Sequence, residues 1–245
     1  MRDDLLDAQA AVDWSIAQFD SLKRRLISWR EEPPYSFREE PHPEIGKKRI
    51  HLANTIQPSP IINAEVGAII NSLRSSLDVL VNTLAKRAGH TDPKDTHFPI
   101  CRSKDDFFIG KHAGRKAIKR LSKADQALIE NLEPWDGGNN PSLVALHNLD
   151  ITRKHRRLIE ITPVPGTIMI PTDSVKAGLR FNSMWDGFKD DAIVAWTGIG
   201  TDHSQIQIAF DITLNEAGSV AGKSIVTALN DFACLANSII KLFDV

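Results

Sequence analysis

Two short stretches hold most of the side chains with the means to do chemistry. In the first, Asn71, Arg74 and Asp78 fall at i, i+3 and i+7, hence on one face of a helix. In the second, His147, Asp150 and Lys154 repeat that spacing, and His155 follows at once. A guanidinium and an ammonium on facing helices would grip a carboxylate or a phosphate. An imidazole beside them titrates near neutrality and would serve as an acid or a base. The same groups would equally close into ion pairs, Arg74 on Asp150 and Asp78 on Lys154 or His155, and set the register of the two helices. Spacing alone leaves all these uses open.

The elements that must position these groups are legible in the hydrophobic pattern. Val66, Ile69, Ile70, Leu73, Leu77, Leu80 and Leu84 recur at three- and four-residue steps within Asn63–Lys86, which predicts an amphipathic helix over 61–88. Beside that stripe runs a second, Gly67, Asn71, Arg74, Asp78, Val81 and Ala85, small at its ends and polar at its middle. Pro141 at a first helical turn opens the partner helix, which runs to about Lys154. Residues 3–30 predict a long helix with Leu5, Ala8, Val12, Ile16, Phe19, Leu22, Leu26 and Trp29 on one side, ended by Pro33-Pro34. A proline-punctuated loop to Gly46 and an edge strand over Lys47–Ile56 come next. Ser122 is the expected cap of a short helix to Leu132.

After Arg156 the period changes to two. Arg157–Thr162 and Thr167–Ile170 read as a hairpin around Pro163–Gly166, and strands are expected over Val175–Phe181, Ala192–Thr197 and Ser204–Leu214. Strict alternation in the last favours an antiparallel sheet with one wet face. Val220–Phe243 reads as a closing helix. The expected fold is α+β: an N-terminal helical layer over 1–156 packed with a C-terminal antiparallel meander sheet and C-terminal helix over 157–245, possibly as one domain.

Composition excludes the extremes. With 42% hydrophobic and 25% charged residues and a net charge of −1, the chain is neither a disordered polyelectrolyte nor a wholly basic nucleic-acid binder. Any nucleic-acid contact would fall to the basic run Lys111, His112, Arg115, Lys116, Lys119 and Arg120, which reads first as a solvated face. Cys101 and Cys234 form neither a disulfide framework nor a zinc pattern. The acidic start MRDDLLDAQAAVDW has no apolar signal core, and no long apolar run occurs, so a cytoplasmic protein without a membrane span is expected. Ala217–Ser224 imitates a phosphate loop, but the strand before it alternates. The short tail after it lacks room for the remaining strands and the metal-binding Asp, so Ser219 reads as a helix cap.

Pro58 and Pro60, Gly67 with Leu73-Arg74-Ser75 and Leu77-Asp78, Phe98-Pro99-Ile100, Glu133-Pro134-Trp135 and Lys154-His155-Arg156 form an ordered set across Arg49–Ile159. In order and spacing this set resembles a family of bacterial, largely actinobacterial, proteins with the segments GDxxHNLRSALDxL, FPI, QPY and DKHR, whose activity is not established. The chain departs from that pattern at Ala68 for Asp, Asn71 for His, Ser72 for Asn and Arg153 for Asp. A site needing that His as acid or base, or that Asp as metal ligand, would be damaged.

Three uses of the cluster follow. It is a buried network that registers the helices. It is a site for a small anionic ligand made by Asn71, Arg74, Asp78, Asp150, Lys154 and His155. Or, by an architectural similarity to HEPN-type helical domains, it is a metal-independent ribonuclease. There His155 or His147 would be the acid–base group and Arg74 would steady the phosphorane. The Arg-x4–6-His fingerprint of that group is missing from the chain. His147, Asp150, His155 and Asp78 show no recognised metal spacing, so neither a metal nor a cofactor is expected.

Overall fold

A computed structural model describes residues 1–31, 35–44, 46–53, 56–170, 172–176, 178–184, 191–198, 204, 206–216 and 218–244. The helices are α1 (Leu6–Glu31), α2 (Pro60–Arg87), α3 (Lys104–Phe108), α4 (Lys123–Asn131), α5 (Pro141–His155), α6 (Thr172–Lys176) and α7 (Ile225–Lys241). The strands are β1 (Ser36–Pro41), β2 (Lys47–Ala53), β3 (Ile161–Met169), β4 (Arg180–Phe181), β5 (Ile193–Gly198) and β6 (Gln207–Leu214). The fold is α+β. Among the described residues no helix is long and apolar enough to cross a membrane.

The chain divides into two interleaved units. One comprises Met1–Lys23, Pro60–Glu160 and Leu214–Val245; the other comprises Arg24–Ser59 and Ile161–Thr213. This differs from the expected cut between residues 156 and 157. The sheet unit borrows β1 and β2 from ahead of the helical segment, and the chain returns to the helical unit for α7.

In the helical unit α2 is the central rod, packed against α5 and α7. Its two stripes are both covered: Ile69, Ile70, Leu73, Leu77, Leu80 and Leu84 are fully buried, and so are Val81 and Ala85 on the second. Each such Leu or Ile contributes about 1.5–3 kcal/mol of burial. The buried side of the first helix is Leu5, Ala8, Val12, Ser15, Phe19, Leu22 and Leu26, with Ser15 in place of the expected Ile16, which is exposed. Ser15 Oγ donates to Ala11 O at 2.8 Å, so the hydroxyl is buried without an unmet donor.

The sheet unit holds a four-stranded sheet of order β1-β2-β5-β4, antiparallel at each step, and a two-stranded sheet of β3 and β6. Its core joins Ile50, Leu52, Val194 and Ala195 to Ile206, Ile208 and Phe210. Four expectations change here. Residues 36–41 form strand β1 within the supposed loop, so β2 is an inner strand and not an edge. Residues 161–169 are one strand that runs through Pro163 and Pro165, where a hairpin turn was expected. Both strands of a two-stranded sheet are edges, where a missing N–H is tolerated. Within Val175–Phe181 only Arg180–Phe181 is strand, and Thr172–Lys176 is a helical turn. Finally, α7 starts at Ile225 behind Ser224 and not at Ser219. The segment before it folds back on β6 through Gly222 N–H to Leu214 O and Leu214 N–H to Lys223 O, both 3.0 Å. Ala217, at the head of the phosphate-loop imitation, lies outside the described residues.

Two glycines give opposite expectations. A Cβ on Gly138 would lie 2.3 Å from Glu133 O, a backbone atom with nowhere to go. Gly138→Ala should cost about 2 kcal/mol or more in urea denaturation. A Cβ on Gly67 would meet the movable stem of Arg153 at 2.9 Å. There the helix-propensity gain of about 1 kcal/mol offsets the crowding, and Gly67→Ala should be near neutral.

Candidate functional site

Arg74 and Asp150 are the two buried charges of the helical unit, 5% and 3% exposed. Each finds its counter-ion on its own helix. Arg74 NH1 donates to Asp78 Oδ1 at 2.7 Å, and Lys154 Nζ donates to Asp150 Oδ2 at 2.7 Å. The expected cross-helix pairs, Arg74 with Asp150 and Asp78 with Lys154 or His155, do not form. An i, i+4 partner is always within reach on the same helix and needs no particular helix crossing to meet it. The two helices are joined instead by hydrogen bonds: Asn71 Nδ2 to Asp150 Oδ1 at 2.9 Å and Arg74 Nε to His147 Nδ1 at 3.3 Å.

The Arg74–Asp78 pair also holds a loop. Arg74 NH2 donates to Phe98 O, and Asp78 Oδ1 accepts the Phe98 N–H, each at 2.9 Å. Both backbone groups of one buried residue are thus met by one ion pair. Asn82 adds a bond to Thr96 O at 3.3 Å, and Arg120 NH1 one to Thr96 Oγ1 at 3.2 Å. Cys101 then pairs with the 134–136 segment, its N–H to Pro134 O at 2.9 Å and the Asp136 N–H to its carbonyl at 3.2 Å. The Phe98-Pro99-Ile100 segment, held on α2 at Phe98, thus leads directly into the Cys101 backbone that pairs with Pro134–Asp136.

Among the expected site residues, six come together between α2 and α5 in two bonded sets, Arg74 with Asp78 and His147, and Asp150 with Asn71 and Lys154. His155 does not: it is exposed at the end of α5, and among the described residues it has no polar partner. Arg74 faces three protein partners and is sealed, so the geometry gives it no approach to a phosphorane. Among the described residues no group of three or more His, Cys, Asp or Glu side chains is placed to hold a metal ion.

His147 is the member of this group that lines a cavity. Burial first, and the Arg74 charge second, lower its pKa to about 4, so the ring is neutral at pH 7. Because Nδ1 accepts from Arg74, the neutral ring carries its hydrogen on Nε2. His147 lines a cavity of about 620 Å³ together with Cys101, Arg102, Asn148, Thr152 and Arg156. Burial and nearby Asp106 push the Cys101 thiol up, so it is no ready nucleophile. Arg157 also borders the cavity but is spent on Glu216, NH1 to Oε1 at 2.9 Å and NH2 to Oε2 at 3.1 Å. Arg102 and Arg156 are exposed, and among the described residues their guanidiniums have no hydrogen-bond or ion-pair partner. Neither was singled out as a site residue. Arg156 is the third letter of the Lys-His-Arg segment and Arg102 follows Phe-Pro-Ile-Cys, a signal that was open to use. The basic run at 111–120 contributes nothing to this cavity.

Compared with protein-family models, with curated proteins and with solved structures, the chain matches none.

Arg74→Ala would strand Asp78 and unpin Phe98, and should cost about 3–5 kcal/mol in chemical denaturation. His147 sets a pH dependence of known sign. Its folded pKa lies below the unfolded value, so its contribution is present above pH 6.5 and is lost as pH falls towards 4. The loss should be roughly 2 kcal/mol after allowance for its partial exposure. In His147→Gln the stability difference between pH 7 and pH 4.5 should shrink by that amount; an unchanged difference would show that His147 does not set it.

Proposed function

We propose that this chain is a binding protein for a small anionic ligand, and that the ligand sits in the Arg102–Arg156–His147 cavity. The buried Arg74–Asp78 and Asp150–Lys154 pairs are scaffold. The observation that carries the reading is two unpartnered guanidiniums and one outward imidazole N–H on a single cavity. Two cations that line one cavity offer an anion more than either alone, since both can meet it at once. A guanidinium offers a planar fork that meets a carboxylate or phosphate with two bonds at once. A neutral Nε2–H adds a donor without adding charge. At about 620 Å³ the cavity lies within the ordinary range for small-molecule sites, about 300–1,000 Å³.

The reading extends to setting. We place the protein in the cytoplasm of a bacterium, as a relative of the family that its Leu-Arg-Ser, Phe-Pro-Ile and Lys-His-Arg segments resemble. Cys101 and Cys234 are both free thiols, which suits a reducing compartment.

The test is thermal unfolding in phosphate, sulfate and succinate, each against sodium chloride of equal ionic strength. An anion present at a hundred times its Kd adds about 2.7 kcal/mol, a clear rise in Tm. Arg102→Ala with Arg156→Ala should abolish that rise and leave Tm in chloride unchanged within about 0.5 kcal/mol, since both side chains are exposed. If no anion outperforms chloride, the binding reading is wrong and the cluster is scaffold alone.

A further inference from the structure

The sheet unit carries a second cavity, of about 480 Å³, lined by Trp196 and Arg180 with His42, Glu44, Lys47 and Thr197. Register places the important side chains. Trp196 on β5 lies directly opposite Arg49 on β2 and directly opposite Arg180 on β4. Directly opposed residues in antiparallel strands project from the same face, about 4.5–5.5 Å apart at Cβ. An indole on an inner strand is therefore flanked across the sheet by two guanidiniums, Arg49, Trp196 and Arg180 forming one row. Lys47 opposes Gly198, two residues along each strand, and so shares that face.

The row is not explained by packing. The core of the sheet unit is built from the opposite face, through Ile50, Leu52 and Ala195. Trp196 is only half-buried, and among the described residues its ring meets no other aromatic side chain and no cation at stacking distance. Arg180 is exposed. Its NH1 donates to the carbonyls of Val175 at 3.2 Å and Leu179 at 3.3 Å, which aims the guanidinium without neutralising it. The other cations on the cavity side are partly answered: Lys47 by Glu44, and Arg49 by Glu40 at 3.9 Å. Arg180 is left as the charge next to the ring. His42 Nδ1 accepts the Glu44 N–H at 3.1 Å, so the neutral imidazole keeps its hydrogen on Nε2. Glu44 itself supplies the acceptor that a sugar hydroxyl or a base amino group needs.

A half-bare indole, a fixed guanidinium beside it and an acceptor at the rim fit a planar ring carrying a phosphate. We propose that this face binds a nucleoside monophosphate, the base stacked on Trp196 and the phosphate on Arg180. Base stacking on an aromatic side chain is tolerant of base identity. The cavity is the size for one such ligand and not for a strand. The site is independent of the Arg102–Arg156 cavity and uses none of its residues.

The experiment is isothermal titration with AMP, adenosine and inorganic phosphate, on the wild-type chain and on Trp196→Phe, Trp196→Leu and Arg180→Gln. AMP should bind at least ten-fold more tightly than either half alone. Trp196→Leu should weaken AMP by about ten-fold or more, and Trp196→Phe, which keeps a ring, by much less. Arg180→Gln should weaken AMP and leave adenosine unchanged. AMP no tighter than phosphate would reduce the site to a surface cation and overturn the proposal. So would AMP binding insensitive to both Trp196→Phe and Arg180→Gln, the two changes least able to disturb the sheet. The Arg102→Ala, Arg156→Ala variant should bind AMP as wild type does; loss there would assign the nucleotide to the other cavity.

Discussion

A guanidinium sealed inside a helical unit must have its donors met, and Arg74 meets this demand by gathering three separate parts of the chain. Asp78 comes from its own helix, the Phe98 carbonyl from the loop that follows, and His147 from the helix packed alongside. None of these contacts is worth much by itself, yet each removes a donor that would be costly to bury unpaired. The loop so pinned brings Cys101 beside Pro134 and Trp135, and that ladder forms one wall of the cavity. The opposite wall is α5, held at its other end by Asn71 on Asp150. The residues that line the cavity are thus positioned by a network buried behind them.

The same network settles the chemistry of His147. A ring whose Nδ1 accepts from a buried cation cannot take a proton there without facing that cation, and burial works in the same direction. A histidine held neutral to about pH 4 is a poor acid near neutrality. It is well suited to donate one hydrogen bond of fixed direction. The formal positive charge around the cavity is then carried by its arginines and not by this ring.

Much of the helical unit was legible in the pattern of residues, because a helix rod buried on two sides writes two stripes at three- and four-residue steps. Val66–Leu84 and Gly67–Ala85 are those stripes, and the second carries Asn71, Arg74 and Asp78; on α5 the pattern offered His155 as well, which lies outside the cluster. Partner choice did not follow. Arg74 preceding Asp78 is the weaker order for a helical ion pair, and it forms because Asp78 also accepts the Phe98 N–H, a contact from a loop that no periodicity encodes. Ile16 is apolar yet exposed, and buried Ser15 completes the more regular series 5, 8, 12, 15, 19, 22, 26. The sheet was harder. Ser36–Pro41 reads SFREEP, charged and ended by proline, and becomes a strand only because β2 supplies six residues to pair with. Pro163 and Pro165 signal a turn locally, and tertiary pairing on an edge overrides them.

Asn71, Ser72 and Arg153 each have a structural part on the α2 and α5 helices. Asn71 donates to Asp150 through an amide that does not titrate. Ser72 Oγ donates to Ala11 O at 3.0 Å and ties α2 to α1. Arg153 lays its stem across Gly67, where a side chain of any size would meet it. Each of the three has packing or hydrogen-bonding work between helices, and none of them lines the cavity. A histidine at 71 would sit beside Asp150, whose charge is already matched by Lys154; an amide there completes the network without a second titrating group. With the helix pair given over to neutral bridges and self-contained ion pairs, the guanidiniums without a partner among the described residues that line the cavity lie just outside it, on Arg102 after the pinned loop and Arg156 after the last turn of α5.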